Sequence, residues 1–199
     1  MDLQIFKKIF ERTVELEGGF SDDKHDKGGK TKYGVCWNYD AIYLQKIGIN
    51  SEDQMISLSL DQAETIHLEK YWKNWRFHYL AKLPLCAATT YDMGFHEGKY
   101  GWCSVQQVIN NLMPETNLVI DGAPGPKTKG AVSKLYQNVI MKYPNKFLND
   151  HNIAVLIEVE RAEWYKILMQ QDIEDGKPLN VAWTYYNSGM RRLGRLGNV

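Results

Sequence analysis

The chain has 199 residues, 44% of them apolar and 24% charged, an ordinary globular balance at a length that can bury a core. Its 24 basic and 24 acidic side chains cancel, which argues against strong non-specific attraction to nucleic acid or to an anionic membrane surface. Three widely spaced cysteines, Cys36, Cys86 and Cys103, with no Cys-x-x-Cys, argue against a disulfide framework or a zinc site.

Helical periodicity dominates the chain. Residues 3–17 carry Phe6, Phe10 and Val14 at i, i+4 spacing, and Glu17 continues that stripe three residues later. Residues 18–36 are rich in Gly, Asp and Lys and read as a loop or short hairpin. A short helix is expected over 38–46, with Ala41, Ile42 and Leu44 as its apolar content. A longer one is expected over 61–75, with Ala63, Ile66 and His67 near one face. Residues 85–95 are small and mostly apolar, which suits a central helix surrounded by others. A helix over 102–112 carries Val105, Val108, Ile109 and Leu112 as its stripe. The turn Asp121-Gly122-Ala123-Pro124-Gly125-Pro126 leads into a helix over 126–141, with proline at its first position. A long helix follows over 144–171 with the stripe Ala154, Ile157, Arg161, Trp164, Tyr165 and Leu168. Asp175-Gly176-Lys177-Pro178 breaks it, and a last helix spans 180–196. The fold class is therefore all-α with a small hairpin after the first helix. A soft boundary divides the chain into residues 1–104 and 105–199.

No apolar run approaches the roughly 20 residues that cross a bilayer, and the first residues lack a charged-then-apolar signal arrangement. The chain is expected to be made in the cytoplasm without a signal peptide, and any target outside requires separate delivery.

The stretch 16–35 concentrates the chemistry. One glutamate, Glu17, ends an apolar-faced helix and is followed by a glycine pair, an acidic loop, a second glycine pair and Thr31-Lys-Tyr33-Gly34. The apolar face desolvates a carboxylate and the helix C-terminus disfavours its charge, so both keep a proton on Glu17. A protonated carboxyl is the acid that breaks a glycosidic bond, usually with a second carboxylate or a held water on the other side of the sugar. Asp22, Asp23 and Asp26 are candidates for that second group, and the hydroxyls of Thr31 and Tyr33 are candidates to hold the water. Against this stands a plainer reading, a solvated glutamate before a Gly-Gly cap and an ordinary solvated turn. The five histidines show no metal spacing such as His-Glu-x-x-His. On the central helix Asp92 suits a buried hydrogen-bonding role at least as well as catalysis, and His96 is a candidate for a cleft wall. Tyr71, Trp72 and Trp75 suit the core better than a sugar platform.

Leu16-Glu17-Gly18-Gly19-Phe20-Ser21-Asp22-Asp23, followed by Asp26-Lys27-Gly28-Gly29-Lys30-Thr31-Lys32-Tyr33-Gly34-Val35, resembles the N-terminal signature of glycoside hydrolase family 108. This is a group of bacterial and phage N-acetylmuramidases, some of which carry an older label as secretion activators. Phe20 stands where tyrosine is common, and Asp22-Asp23-Lys24-His25 stands for an Asn-Asp-Pro-like stretch. The resemblance continues through Tyr91-Asp92-Met93-Gly94-Phe95-His96, Gln106-Gln107, Asp121 to Thr128 and the closing Tyr185-Tyr186-Asn187-Ser188-Gly189. It implies a lysozyme-like, mainly helical fold and a predicted peptidoglycan-binding domain after about residue 105. It also implies hydrolysis of the β-1,4 bond between N-acetylmuramic acid and N-acetylglucosamine. Glu17 then matches the catalytic glutamate. Asp26 and Thr31 resemble the remainder of the Glu–Asp–Thr triad of phage-type lysozymes, one residue short in the second gap. Asp23, Tyr33, Asp92 and His96 become substrate-binding candidates.

The expected partner is the peptidoglycan glycan strand, not nucleic acid, with a holin or secretion apparatus for export and no metal or organic cofactor. Two other readings stay open: a lytic transglycosylase, and a non-catalytic cell-wall binding or secretion-assisting protein.

Overall fold

The structure, a computed structural model, describes residues 2–22, 28–141, 149–180 and 182–183. It is mainly helical with one small sheet, and it packs as two compact units, Met1–Ala81 and Lys82–Val199.

In the first unit, helix α1 (Asp2–Glu17) buries Phe6, Ile9, Phe10 and Thr13. Phe6 stacks on Phe10 with ring centroids 6.1 Å apart and lies 5.7 Å from Trp72. The Trp72 indole donates to Asp2 Oδ1 at 2.8 Å, which ties the start of α1 to the core. Strands β1 (Phe20–Ser21), β2 (Thr31–Lys32) and β3 (Val35–Cys36) form an antiparallel sheet in the order β1-β2-β3, with Phe20 opposite Lys32 and Lys32 opposite Val35. Helix α2 (Trp37–Lys46) follows directly. Helix α3 (Leu60–His67) starts with a capping box between Ser59 and Gln62, which satisfies two orphan donors at once. It runs on as a π-type segment, Leu68–Asn74, that buries both Tyr71 and Trp72. The expected 61–75 helix is thus present as an α-turn run with a widened end, and Tyr71 and Trp72 belong to the core.

The second unit is built around α4 (Pro84–Glu97), in which every residue from Cys86 to Gly94 is buried. A helix that is apolar all round must be surrounded, and α4 packs against both α5 (Tyr100–Leu112) and α7 (Asp150–Glu174), which also touch each other. The start of α4 has no capping side chain of its own. Asp150 supplies one from the first turn of α7, accepting from Leu85 N at 2.9 Å and Cys86 N at 3.1 Å. Helix α6 (Pro126–Leu135) begins at the expected proline and continues as the π-type segment Tyr136–Met141.

The Asp121-Gly122 turn is held by Gln106, which is 1% exposed. The Gln106 carbonyl oxygen accepts from Asp121 N and Gly122 N at 3.1 and 2.9 Å, and its amide donates to Asp121 Oδ1 at 2.9 Å.

Helix α7 is described from Asp150, with Asn149 accepting from Asn152 N at 2.9 Å, and the expected start at residue 144 lies outside the described residues. Most of the expected 180–196 helix lies outside the described residues. The compact units divide at 81/82, and α4 finds its packing partners in α5 and α7. Among the described residues no helix is long and apolar enough to cross a membrane.

Candidate active site

Glu17 is the last residue of α1, and no basic residue stands in that helix's last turn. Gly18 N closes the helix on Val14 O at 3.0 Å, with Gly18 at φ +77°, the left-handed conformation that ends a helix cheaply only at glycine. The backbone of Glu17 is described and its side chain is not. Asp23 and Asp26 lie outside the described residues.

The hairpin that follows is tightly fixed. Tyr33 and Gly34 are the two residues between paired Lys32 and Val35, and both have positive φ, +52° and +77°. That is the signature of a two-residue type I′ turn, whose twist matches the strands beside it. Glycine accepts this φ freely and tyrosine does not. Both backbone polar groups of Tyr33 are engaged: its N–H reaches Gly19 O at 3.4 Å, and its carbonyl accepts from His67 Nε2 at 3.0 Å. The Lys32 ammonium lies 5.2 Å over the Tyr33 ring.

Thr31 is half-buried, and its hydroxyl donates to Gly29 O at 3.2 Å with Cys36 Sγ at 3.4 Å. Its proton is therefore used inside the hairpin, and what it can offer a water is a lone pair. The approach to the hairpin is closed by Trp37 N to Lys30 O and Asn38 N to Gly28 O, both 3.0 Å, and by Glu52 Oε1 accepting from Lys30 N at 3.0 Å. At its far edge, buried Asp40 accepts from Cys36 N at 2.8 Å and from the Lys70 ammonium at 2.6 Å.

The second unit contains Asp92 and His96, the two remaining candidates. Both lie on α4, and Asp92 faces a buried arginine. Arg161, 0% exposed, donates through Nη1 to Asp92 Oδ2 at 2.6 Å and through Nη2 to Glu97 Oε1 at 2.8 Å. Tyr165 OH donates to the same Glu97 oxygen. His96 Nε2 stands 3.6 Å from Asp92 Oδ1. Burial alone would raise the Asp92 carboxyl, but His96 and the Arg161 charge outweigh it and hold it down at about 2.

Glu97 is pushed up by burial, with Arg161 and Tyr165 opposing. Glu158 is pushed up to about 7 by burial, with the Asp92 and Glu97 charges adding and Arg161 opposing. Among the described residues neither carboxyl oxygen of Glu158 has a hydrogen-bond partner. The arrangement leaves Asp92 spent on an ion pair, the buried hydrogen-bonding role that its helix position suggests. Among the described residues no group of three or more His, Cys, Asp or Glu side chains is placed to hold a metal ion.

Sequence reading placed His67 on the apolar face of its helix without a partner, and did not single out Glu97 or Glu158 as site residues. Arg161 carried a usable signal: a lone arginine in an apolar helix stripe demands buried acidic partners. For His67 the partner was not legible, since it is a backbone carbonyl 34 positions away.

Residues 10–98 match the family model described as glycosyl hydrolase 108, and that match supports a glycoside hydrolase. The stretch contains Glu17, the whole hairpin, Asp92 and His96. A solved structure of SagA from Brucella abortus is similar in fold, with a TM-score of 0.58 and 21% identity, over 94% of each chain. No curated protein matches the chain.

Proposed function

We propose that the chain is a peptidoglycan hydrolase of the muramidase type, cutting the β-1,4 bond between N-acetylmuramic acid and N-acetylglucosamine with Glu17 as general acid. The observation that carries this reading is the glycosyl hydrolase match across residues 10–98, which includes a glutamate that closes α1 shortly before a small antiparallel sheet. The C-terminal end of a helix favours the neutral form of a carboxyl, and a neutral carboxyl is what the leaving oxygen needs. Asp26 positions the attacking water or stabilises the oxocarbenium-like state, and Thr31 lends a lone pair to that water. Asp23 and Tyr33 contact the glycan. The reaction needs no metal or organic cofactor. Residues after about 105 grip the glycan strand. The enzyme works on the cell wall outside the cytoplasm and reaches it with a holin or a secretion apparatus.

The test is digestion of purified peptidoglycan, reduction of the products and mass spectrometry of the new chain ends, with Glu17→Gln alongside. Reduced muramic acid ends, lost by about 10²–10⁴-fold in the variant, are the expected result. Anhydro-muramic ends would make it a transglycosylase, and no product from the wild type would leave a binding protein.

A further inference from the structure

Tyr33 sits in a left-handed conformation that a bulky residue adopts only when its surroundings over-determine it. What determines it is visible from both sides. Its N–H is directed at Gly19 O, two residues beyond Glu17, and its carbonyl is held by His67. A carbonyl can only accept, so His67 Nε2 carries the proton, which fixes the tautomer or the charged form at that nitrogen. The His67 ring is 0% exposed and wedged between Phe10 of α1, 5.1 Å away edge-on, and Tyr71, 5.3 Å away. His67 therefore touches the helix that ends in Glu17 on one side and the hairpin turn on the other.

We propose that His67 is a positioning residue for the hydrolysis: a buried strut that holds the Tyr33–Gly34 turn, and with it Thr31 and Tyr33, in register with the end of α1. This rests on the muramidase reading for its kinetic part. Displacing reacting groups by about 1 Å costs roughly 10²-fold in rate, so losing the strut should appear in kcat. His67 touches no substrate itself, so any change in KM comes only through Tyr33 and should be smaller than the change in kcat.

The experiment compares wild type, His67→Gln, which can keep a donor near the Nε2 position, and His67→Phe, which keeps a ring and removes the donor. His67→Leu replaces the latter should it fail to fold. For the donor-less variant, a kcat lower by about 10–100-fold with a smaller rise in KM is expected. His67→Gln should restore most of the rate. Amide hydrogen exchange at residues 31–36 should be faster in the donor-less variant and near wild type in His67→Gln. Equal losses in both variants would show that the imidazole only packs and would overturn the proposal, as would unchanged exchange in the donor-less protein. A wild type without activity sinks the muramidase reading instead, and the exchange data then decide by themselves whether His67 holds the turn.

Discussion

Arg161 shows how much one side chain can be responsible for. It is fully buried and answers Asp92, Glu97 and, at 4.0 Å, Glu158. Removing one partner of a buried ion pair costs about 3–5 kcal/mol, because the abandoned charges stay in the interior. Arg161→Met should therefore lose that much stability in urea denaturation, whereas an exposed pair such as Lys166–Glu163, 3.4 Å apart, should lose under about 1 kcal/mol. A larger loss at Lys166 than at Arg161 would refute this ranking.

The same cluster sets a pH dependence of stability. Glu158 has an ordinary value of 4.5 and is held at about 7 in the fold. The folded chain thus binds its proton more tightly than the unfolded one, and the stabilisation is full below pH 4.5 and disappears as pH rises through about 7. Asp92 works the other way. Its ordinary value is 3.8 and its folded one about 2, so its stabilisation is present above pH 3.8 and is lost as pH falls through about 2. Denaturation midpoints measured from pH 4 to 8 should fall on the alkaline side, and Glu158→Gln should flatten that decline. A wild-type midpoint that is level over this range would remove the basis for both statements.

At the scale of elements, helix crossings depend on what is missing from a position. A methyl on Gly101 of α5 would lie 2.7 Å from Thr90 O and 2.8 Å from Gly94 N on α4. Both obstacles are backbone, so the helices must move apart, and overpacking of this kind costs about 1–3 kcal/mol. Gly130 on α6 has nothing within 4 Å, so there alanine should gain up to about 1 kcal/mol through helix propensity. Calorimetric midpoints should shift in opposite directions for Gly101→Ala and Gly130→Ala. Equal shifts would mean that the close crossing of α4 and α5 is not tight.

The limits of the helices were legible where local chemistry marks them: Pro126 opening α6, Gly18 ending α1 and the break at Asp175-Gly176. The widened ends of α3 and α6 were not legible, since no residue in Leu68–Asn74 or Tyr136–Met141 signals a π-type turn.

For the whole molecule, the compact units divide before α4, although the family match runs through it to residue 98. Composition suggested a boundary near 100–110, ahead of the glycine- and proline-rich turn at 121–126. Packing ignores that punctuation and follows the apolar surface of α4, which α5 and α7 cover. A fragment of residues 82–199 should therefore unfold cooperatively in circular dichroism. One of residues 105–199 lacks α4, leaves Arg161 without Asp92 and Glu97, and should show no sharp transition. Cooperative unfolding of the shorter fragment would restore the boundary near 104.

The sequence by itself determined the helical class, the order of most elements, and the concentration of chemistry between Glu17 and Val35, because helix periodicity, caps and glycine turns act over a few residues. Tertiary structure alone decided what fixes that chemistry in place. Tyr33 is held by His67, 34 positions away, Asp92 by Arg161, 69 positions away, and α4 by a cap from Asp150, 65 positions from Leu85. Such partners are chosen by which surfaces meet when the helices pack, and no short-range pattern in the chain carries that information.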